Sequence, residues 1–173
     1  VFNAALAKLA ADMVETMHDA EGIGLAAHQI GQAIQLCVID LRPSEAEFAW
    51  AYDGARLPLD LFMPLALINP EVAAVPEPTT VYEEGCLSIP EYYEEVERPA
   101  KVRVRYMDLD GKTHEEEAEG LFAVCIQHEI DHLHGKLLTD HISRLKRELY
   151  RKRLKRMASK DDEGSERGSG PYI

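Results

Sequence analysis

A chain of 173 residues can bury one substantial hydrophobic core but is short for two, so a single active or binding site is expected. Apolar residues at 46% and charged residues at 29% are ordinary globular usage and exclude a disordered or fibrous body, and no apolar run reaches the ~20 residues that cross a bilayer. A net charge of −12 argues against wholesale nucleic-acid binding, although one basic segment near the C-terminus departs from that average. Val1 to Ala11 lack the basic flank, apolar stretch and small-residue cleavage site of a secretory signal. The three cysteines Cys37, Cys86 and Cys125 cannot all pair within the chain, so a reducing, cytoplasmic setting is expected.

Residues 3 to 19 read as an amphipathic helix, with Leu6, Leu9, Met13 and Met17 at helical spacing and Lys8, Asp12 and Asp19 off that stripe. The turn at Gly22–Gly24 ends it, and Ile34 to Ile39 has the length and branching of a buried strand. Pro43 to Pro64 reads as a loop, long enough to be an insertion rather than a simple connection. A short strand closes at Leu67-Ile68-Asn69-Pro70, and Pro76 and Pro78 punctuate the approach to Val81 and Tyr82. From Val102 apolar residues alternate with Arg103 and Arg105, Asp110-Gly111 signals a hairpin, and Thr113 to Ala118 is the return strand. Leu121 to Ile126 is apolar nearly all round, which predicts a centrally buried helix opened by Gly120 and stopped by Gly135. A last helix is expected from about Ser143 to Met157, with Leu145, Leu149, Leu154 and Met157 as its apolar stripe. Residues 161–173 are polar and Gly/Ser-rich and are expected to be an unstructured tail. This gives one domain over residues 1–160.

His128-Glu129-Ile130-Asp131-His132 has the form H-E-x-x-H on the predicted central helix. Four residues is about one helical turn, so both imidazoles leave one face and can grip one metal ion. Glu129 sits beside them, placed to take a proton from a water at that metal. The bland alternative is two core histidines and a helix-face glutamate. It is weakened by the apolar turns that precede the motif, because burying that much polarity is costly without a purpose.

Two histidines leave a tetrahedral metal short of a protein ligand, and Cys86 in Glu84-Gly85-Cys86-Leu87-Ser88 is the best candidate. Cys37, inside a strand, and Cys125, inside the apolar helix, read as small buried hydrophobes. Gly22-Ile23-Gly24-Leu25-Ala26-Ala27-His28-Gln29 is not a phosphate loop, since Ala27 replaces the third glycine and no strand precedes it. Its glycines suit a backbone that approaches something closely, such as an extended peptide, and Gln29 offers an amide donor for a developing oxyanion.

Together, Gly22 to Gln29, Glu84 to Ser88 and Gln127 to His132 resemble, in order, the three signature motifs of the peptide deformylase family. The resemblance covers most of residues 3 to 157. It implies an α+β fold with antiparallel β-sheets packed around the central helix that carries His128 and His132. It also implies a hydrolase that removes the formyl group from the N-terminal formyl-methionine of nascent proteins. Cys86, His128 and His132 would then hold one divalent metal ion and Glu129 would be the general base and acid. Gln29 and the backbone N–H of Leu87 would hold the oxyanion. Ile23, Gly24, Leu121, Val124 and Cys125 would line or border the methionine pocket, and Arg98 would lie near the substrate. A Cys₁His₂ set with an open position suits Zn²⁺ and also accepts Fe²⁺ or Ni²⁺, and the resemblance favours Fe²⁺ in the cell. The family usually has a further segment ahead of the first helix, and residues 43–64 are longer than its common pattern.

Two rivals remain at this level. An H-E-x-x-H metallopeptidase would take a downstream third ligand, for which His134 and His141 are the available types. A ribosome- or RNA-binding module would use the basic segment. There Arg144, Lys146, Arg147, Arg151, Lys152, Arg153, Lys155, Arg156 and Lys160 stand against Glu148 alone. In some members of the resembled family the C-terminal helix docks on the ribosome, so ribosome binding is expected here as an accessory role.

Overall fold

The computed structural model describes residues 2–158; Lys160 and the tail expected over 161–173 lie outside the described residues. Three helices, α1 (Ala4–Asp19), α2 (Leu121–Leu133) and α3 (Arg144–Ala158), accompany six strands: β1 (Gly24–Ala26), β2 (Leu36–Ile39), β3 (Phe48–Tyr52), β4 (Leu65–Cys86), β5 (Ile89–Met107) and β6 (Thr113–Gly120). All strand pairs are antiparallel, and the order is β1-β2-β4-β5-β6-β3. The architecture is α+β, with one continuous sheet where several were expected. The reason lies in β4 and β5, which run for 22 and 19 residues and serve both ends of the sheet. Register shifts between Ile68 and Glu71, between Val75 and Thr79, and at Gly85/Cys86 interrupt their pairing, and such bulges bend a strand without ending it.

Residues 43–64 are not all loop. Phe48 to Tyr52 form β3 and pair with Gly120 to Glu116 of β6, and a single 3₁₀ turn follows at Leu59–Leu61. The signal was present in sequence as aromatic residues at every second position, Phe48, Trp50 and Tyr52, which pack against the main core. The surrounding Pro, Gly and charged residues masked it.

At the N-terminus of α1 the Asn3 side chain accepts the Leu6 N–H at 3.0 Å, capping the helix. Met13 and Met17 are its buried contacts against Leu25, Leu36 and Val38. Leu121 to Ile126 of α2 are wholly buried, with Cys37, Ile39, Leu67, Val102, Val104 and Ala118 of the sheet as neighbours. At about 1.5–3 kcal/mol for each large apolar side chain withdrawn from water, this contact dominates the core. The helix ends at Leu133 and Gly135 follows in the left-handed conformation, φ 73°, as a stop signal requires.

In α3 the expected apolar stripe does not face the body of the protein. Leu145 and Leu149 are 71% and 57% exposed, and the anchor is Tyr150, at 7%. Its ring lies 4.2 Å from that of Tyr92, in a small cluster with Cys86, Ile89 and Leu138. Leucines four apart share one face, but polar contacts on another face set the helix's rotation. Lys146 pairs with Glu94, and Arg147 donates to the carbonyls of Thr139 and Asp140 at 2.8 and 3.2 Å. The side chains of Leu154 and Met157 lie outside the described residues.

Elsewhere on the sheet, β6 turns a carboxyl into the core. Glu116 is fully buried, opposite Val104 of β5 and Tyr52 of β3, and neither its oxygens nor the Tyr106 hydroxyl has a hydrogen-bond partner. Burial first, and the charge of Asp53 second, push its pKa up to about 8. Next to it His114 is held between Asp53 and Asp108, each at 2.7 Å.

Candidate active site

Helix spacing brings His128 and His132 onto one face of α2, with ring centroids 4.8 Å apart. Cys86 ends β4, immediately before the tight Leu87–Ser88 turn into β5, and is fully buried. Its Sγ lies 3.3 Å from His132 Nε2, and one ligand atom from each of the three residues falls within 4.8 Å of the others. Bonds of about 2.0–2.3 Å to a tetrahedral ion place ligand atoms roughly 3.3–3.8 Å apart, so the cluster is close to the size a metal requires. Among the described residues it is the one group of three ligand-type side chains with this proximity.

The donor chemistry fits as well. His128 Nδ1 is held by Glu84 Oε2 at 2.8 Å, while its Nε2 is buried without a partner. Such an orphaned nitrogen costs stability unless something binds it. Burial pushes the Cys86 thiol up to about 12, and burial followed by the neighbouring His128 brings His132 down to about 3. Without a cation the site therefore keeps a neutral thiol on Cys86 and a neutral imidazole on His132. A bound cation reverses the thiol's preference, since a coordinating thiol is deprotonated outright.

Glu84 is itself clamped. Arg98 donates to it through Nε at 2.5 Å and Nη2 at 3.0 Å, and reaches Asp131 through Nη1 at 2.8 Å. Arg98 was expected near the substrate; it is 4% exposed, and three of its donors are spent on these carboxylates. Its guanidinium is thus engaged with Glu84, the hydrogen-bond partner of His128. Glu84 and Asp131 lie inside the motifs, but nothing local in the sequence assigns them a role. The available signal was that a metal-bound histidine needs an acceptor for its second nitrogen.

Glu129 is fully buried and both of its oxygens lack partners. Burial, then the charge of Glu84, pushes its pKa well above the usual carboxylate range. A Cβ on Gly24 would collide with this carboxylate, so glycine there is explained by the approach of Glu129 to β1. Gln29 has a fixed orientation: its Oε1 accepts the Ala26 N–H at 2.8 Å. Its Nε2 consequently faces Ser88 Oγ at 3.1 Å and Cys86 Sγ at 3.8 Å. Leu87 follows Cys86 in the turn and reaches back to the first motif, where a Cβ on Gly22 would meet its side chain at 2.9 Å.

A cleft of about 980 Å³ opens along Gly22, Ile23, Arg42, Ser44 and Tyr82. Of the residues expected around the methionine pocket, Ile23 lines it. Leu121, Val124 and Cys125 are buried in the core beside Ile23, and the Cys125 thiol lies 3.8 Å from the Ile23 carbonyl oxygen. None of these three is among the cleft's lining residues. His141, a candidate third ligand in the metallopeptidase reading, donates to Asp131 instead, and His134 is outside the ligand cluster.

Comparison with known proteins gives a consistent result. The family model for polypeptide deformylase matches residues 1–148. A peptide deformylase from Bradyrhizobium diazoefficiens is 58% identical over 153 residues, covering 88% of this chain and 82% of the relative. One from Rhodopseudomonas palustris is 56% identical, covering 88% and 78%. Among solved structures, a peptide deformylase from Legionella pneumophila superposes with a TM-score of 0.75 at 37% identity, covering 95% of this chain and 88% of that one. Another, from Synechococcus elongatus in complex with actinonin, has a TM-score of 0.73 at 38% identity, covering 88% and 74%.

Proposed function

Because the chain belongs to the polypeptide deformylase family, and so is an enzyme that removes the formyl group from formylated nascent peptides, we propose a residue-level account of its catalytic centre. Cys86, His128 and His132 hold one divalent cation, and Glu129 handles the protons. The observation that carries this reading is a Cys-His-His cluster of metal-binding size beside a buried carboxyl group whose oxygens have no other partner.

When bound there, a divalent cation supplies Lewis acidity, acidifying water and polarising the formyl carbonyl. Glu129 takes a proton from the attacking water and returns it to the amine nitrogen as the C–N bond breaks, leaving formate and a free amino terminus. The Gln29 amide and the Leu87 backbone N–H donate to the carbonyl oxygen as it gains charge. β1 is the edge strand of the sheet, so its open side is available to an extended peptide lying beside Ile23 and Gly24. Ile23, with Leu121, Val124 and Cys125 behind it, shapes the wall that meets the methionine side chain. Arg98 keeps Glu84, and through it His128, in place.

We assign Fe²⁺ as the working ion. The assignment rests on the three-motif likeness, since the donor set also accepts Zn²⁺ and Ni²⁺. Protein loaded anaerobically with Fe²⁺ is expected to release formate from a formyl-Met peptide fastest, and to decay in air as the iron oxidises and Cys86 follows. Metal content measured on the same samples checks it. Equal activity in the Zn²⁺ form, or Fe²⁺ activity stable in air without reductant, would count against iron.

We further assign the cytoplasm as its setting and the ribosome as an accessory partner. Arg144, Arg151, Lys152 and Arg153 are exposed on α3, which favours a phosphate-rich partner. No helix among the described residues is long and apolar enough to cross a membrane. Charge-reversing substitutions at these four positions should abolish a salt-sensitive association with ribosomes, because phosphate contacts release counterions. Unchanged affinity at low salt would dispose of this role. Removing the whole helix is a poor test, since Tyr150 packs in the same cluster as Cys86.

A further inference from the structure

The clamp behind His128 does not end at Asp131. The 3₁₀ turn Leu138–Asp140 presents His141, whose Nε2 lies 2.7 Å from Asp131 Oδ2, the same oxygen that accepts from Arg98. Arg147 of α3 fixes that turn through the carbonyls of Thr139 and Asp140. Exposure falls steadily inward along the chain: 29% at the His141 side chain, 16% at Asp131, 4% at Arg98 and 0% at Glu84. We infer that His141 is a positioning residue for the metal centre: it fixes the Asp131 carboxylate, which keeps Arg98 locked on Glu84 and Glu84 on His128 Nδ1.

The physical case is one of geometry and charge balance. Glu84 and Asp131 are two carboxylates sharing one guanidinium, so a second N–H donor on Asp131 relieves their competition for Arg98. Asp131 is the only one of the three with appreciable solvent access, and a carboxylate with a single partner there is freer to rotate towards water. Loss of its alignment would loosen Arg98, and through Glu84 the orientation and basicity of the His128 ring. His141 touches neither substrate nor the reacting atoms on this reading, so it acts only through the ligand. It also joins the metal centre to α3, since the turn that carries it is held by Arg147.

This inference rests on the proposed Cys86-His128-His132 metal site, and its test separates the two. Protein loaded with Co²⁺ or Zn²⁺ is challenged with a chelator, and the rate of metal loss is followed in wild type, His141→Ala and His141→Gln. Direct outer partners of metal ligands commonly contribute about 10–100-fold in affinity; for a more remote group the expected acceleration in His141→Ala is about three- to tenfold. Glutamine keeps an N–H donor and should recover most of that. The thiolate-to-Co²⁺ absorption should shift in the alanine variant and return in the glutamine variant. Metal loss and spectra identical to wild type in His141→Ala, or no recovery in His141→Gln, overturn the inference. If the alanine variant is too unstable to load, His141→Glu against His141→Gln decides: glutamate repels Asp131 and should lose metal faster, and equal rates overturn the inference. A wild-type protein that takes up no stoichiometric metal would instead refute the site itself.

Discussion

Replacing Glu129 with alanine is expected to slow formate release by about 10²–10⁴-fold while the metal stays bound. Glu129 sits one residue from His128, yet it lies outside the Cys-His-His cluster and both its oxygens are buried without partners. A folded protein gains nothing in stability from such a group, which supports the proton-transfer role proposed for it. Glu129→Gln sharpens the test because it keeps the volume and removes only the titrating oxygen. Both variants should melt no lower than wild type in the cation-free form, since each removes an unpartnered carboxyl. Turnover with metal content on the same samples is the measurement. Near-normal turnover in either variant with metal bound would remove Glu129 from the mechanism.

Glu116→Gln is expected to stabilise the protein in alkali, by on the order of 3 kcal/mol at pH 9, and to have little effect near pH 4. The sign follows from the direction of the shift. Burial raises the Glu116 pKa from the 4.5 of a free carboxyl to about 8, so between these values the folded protein binds a proton that the unfolded chain has released. Stability contributed by the neutral acid is full below the unfolded pKa and is lost as pH rises through the folded one. Above pH 8 the fold must accommodate a buried anion near Asp53, in a sheet that offers it no hydrogen bond. Glutamine never ionises and escapes that cost. For a chain of this size the gain corresponds to a rise in Tm of roughly 6–12 °C at pH 9. Thermal melts of both proteins from pH 4 to 9 check it, and parallel pH profiles would show that Glu116 is not the responsible group. Formate release should be unaffected at neutral pH, because Glu116 belongs to none of the catalytic contacts.

The amino-acid sequence by itself determined what depends on spacing along one element. A spacing of four from His128 to His132 put two imidazoles on one helical face, and the apolar run Leu121 to Ile126 placed that helix in the core. The Asp110-Gly111 hairpin and the Met13–Met17 face of α1 were legible for the same reason, since turn chemistry and periodicity are local properties. Tertiary structure decided the partners. Arg98 finds Glu84 across 14 residues and Asp131 across 33, and only the strand register and the helix's seat on the sheet could show that its guanidinium meets these two carboxylates. The same holds for β3, whose alternating aromatics became a strand because β6 offered a free edge, and for α3. In α3 local periodicity named Leu145 and Leu149 as the buried face. The choice went to Tyr150 because Tyr92 and the carbonyls of Thr139 and Asp140 were already in position to receive that side of the helix. A pattern states which side chains share a face; which face is buried depends on what the rest of the chain brings to meet it.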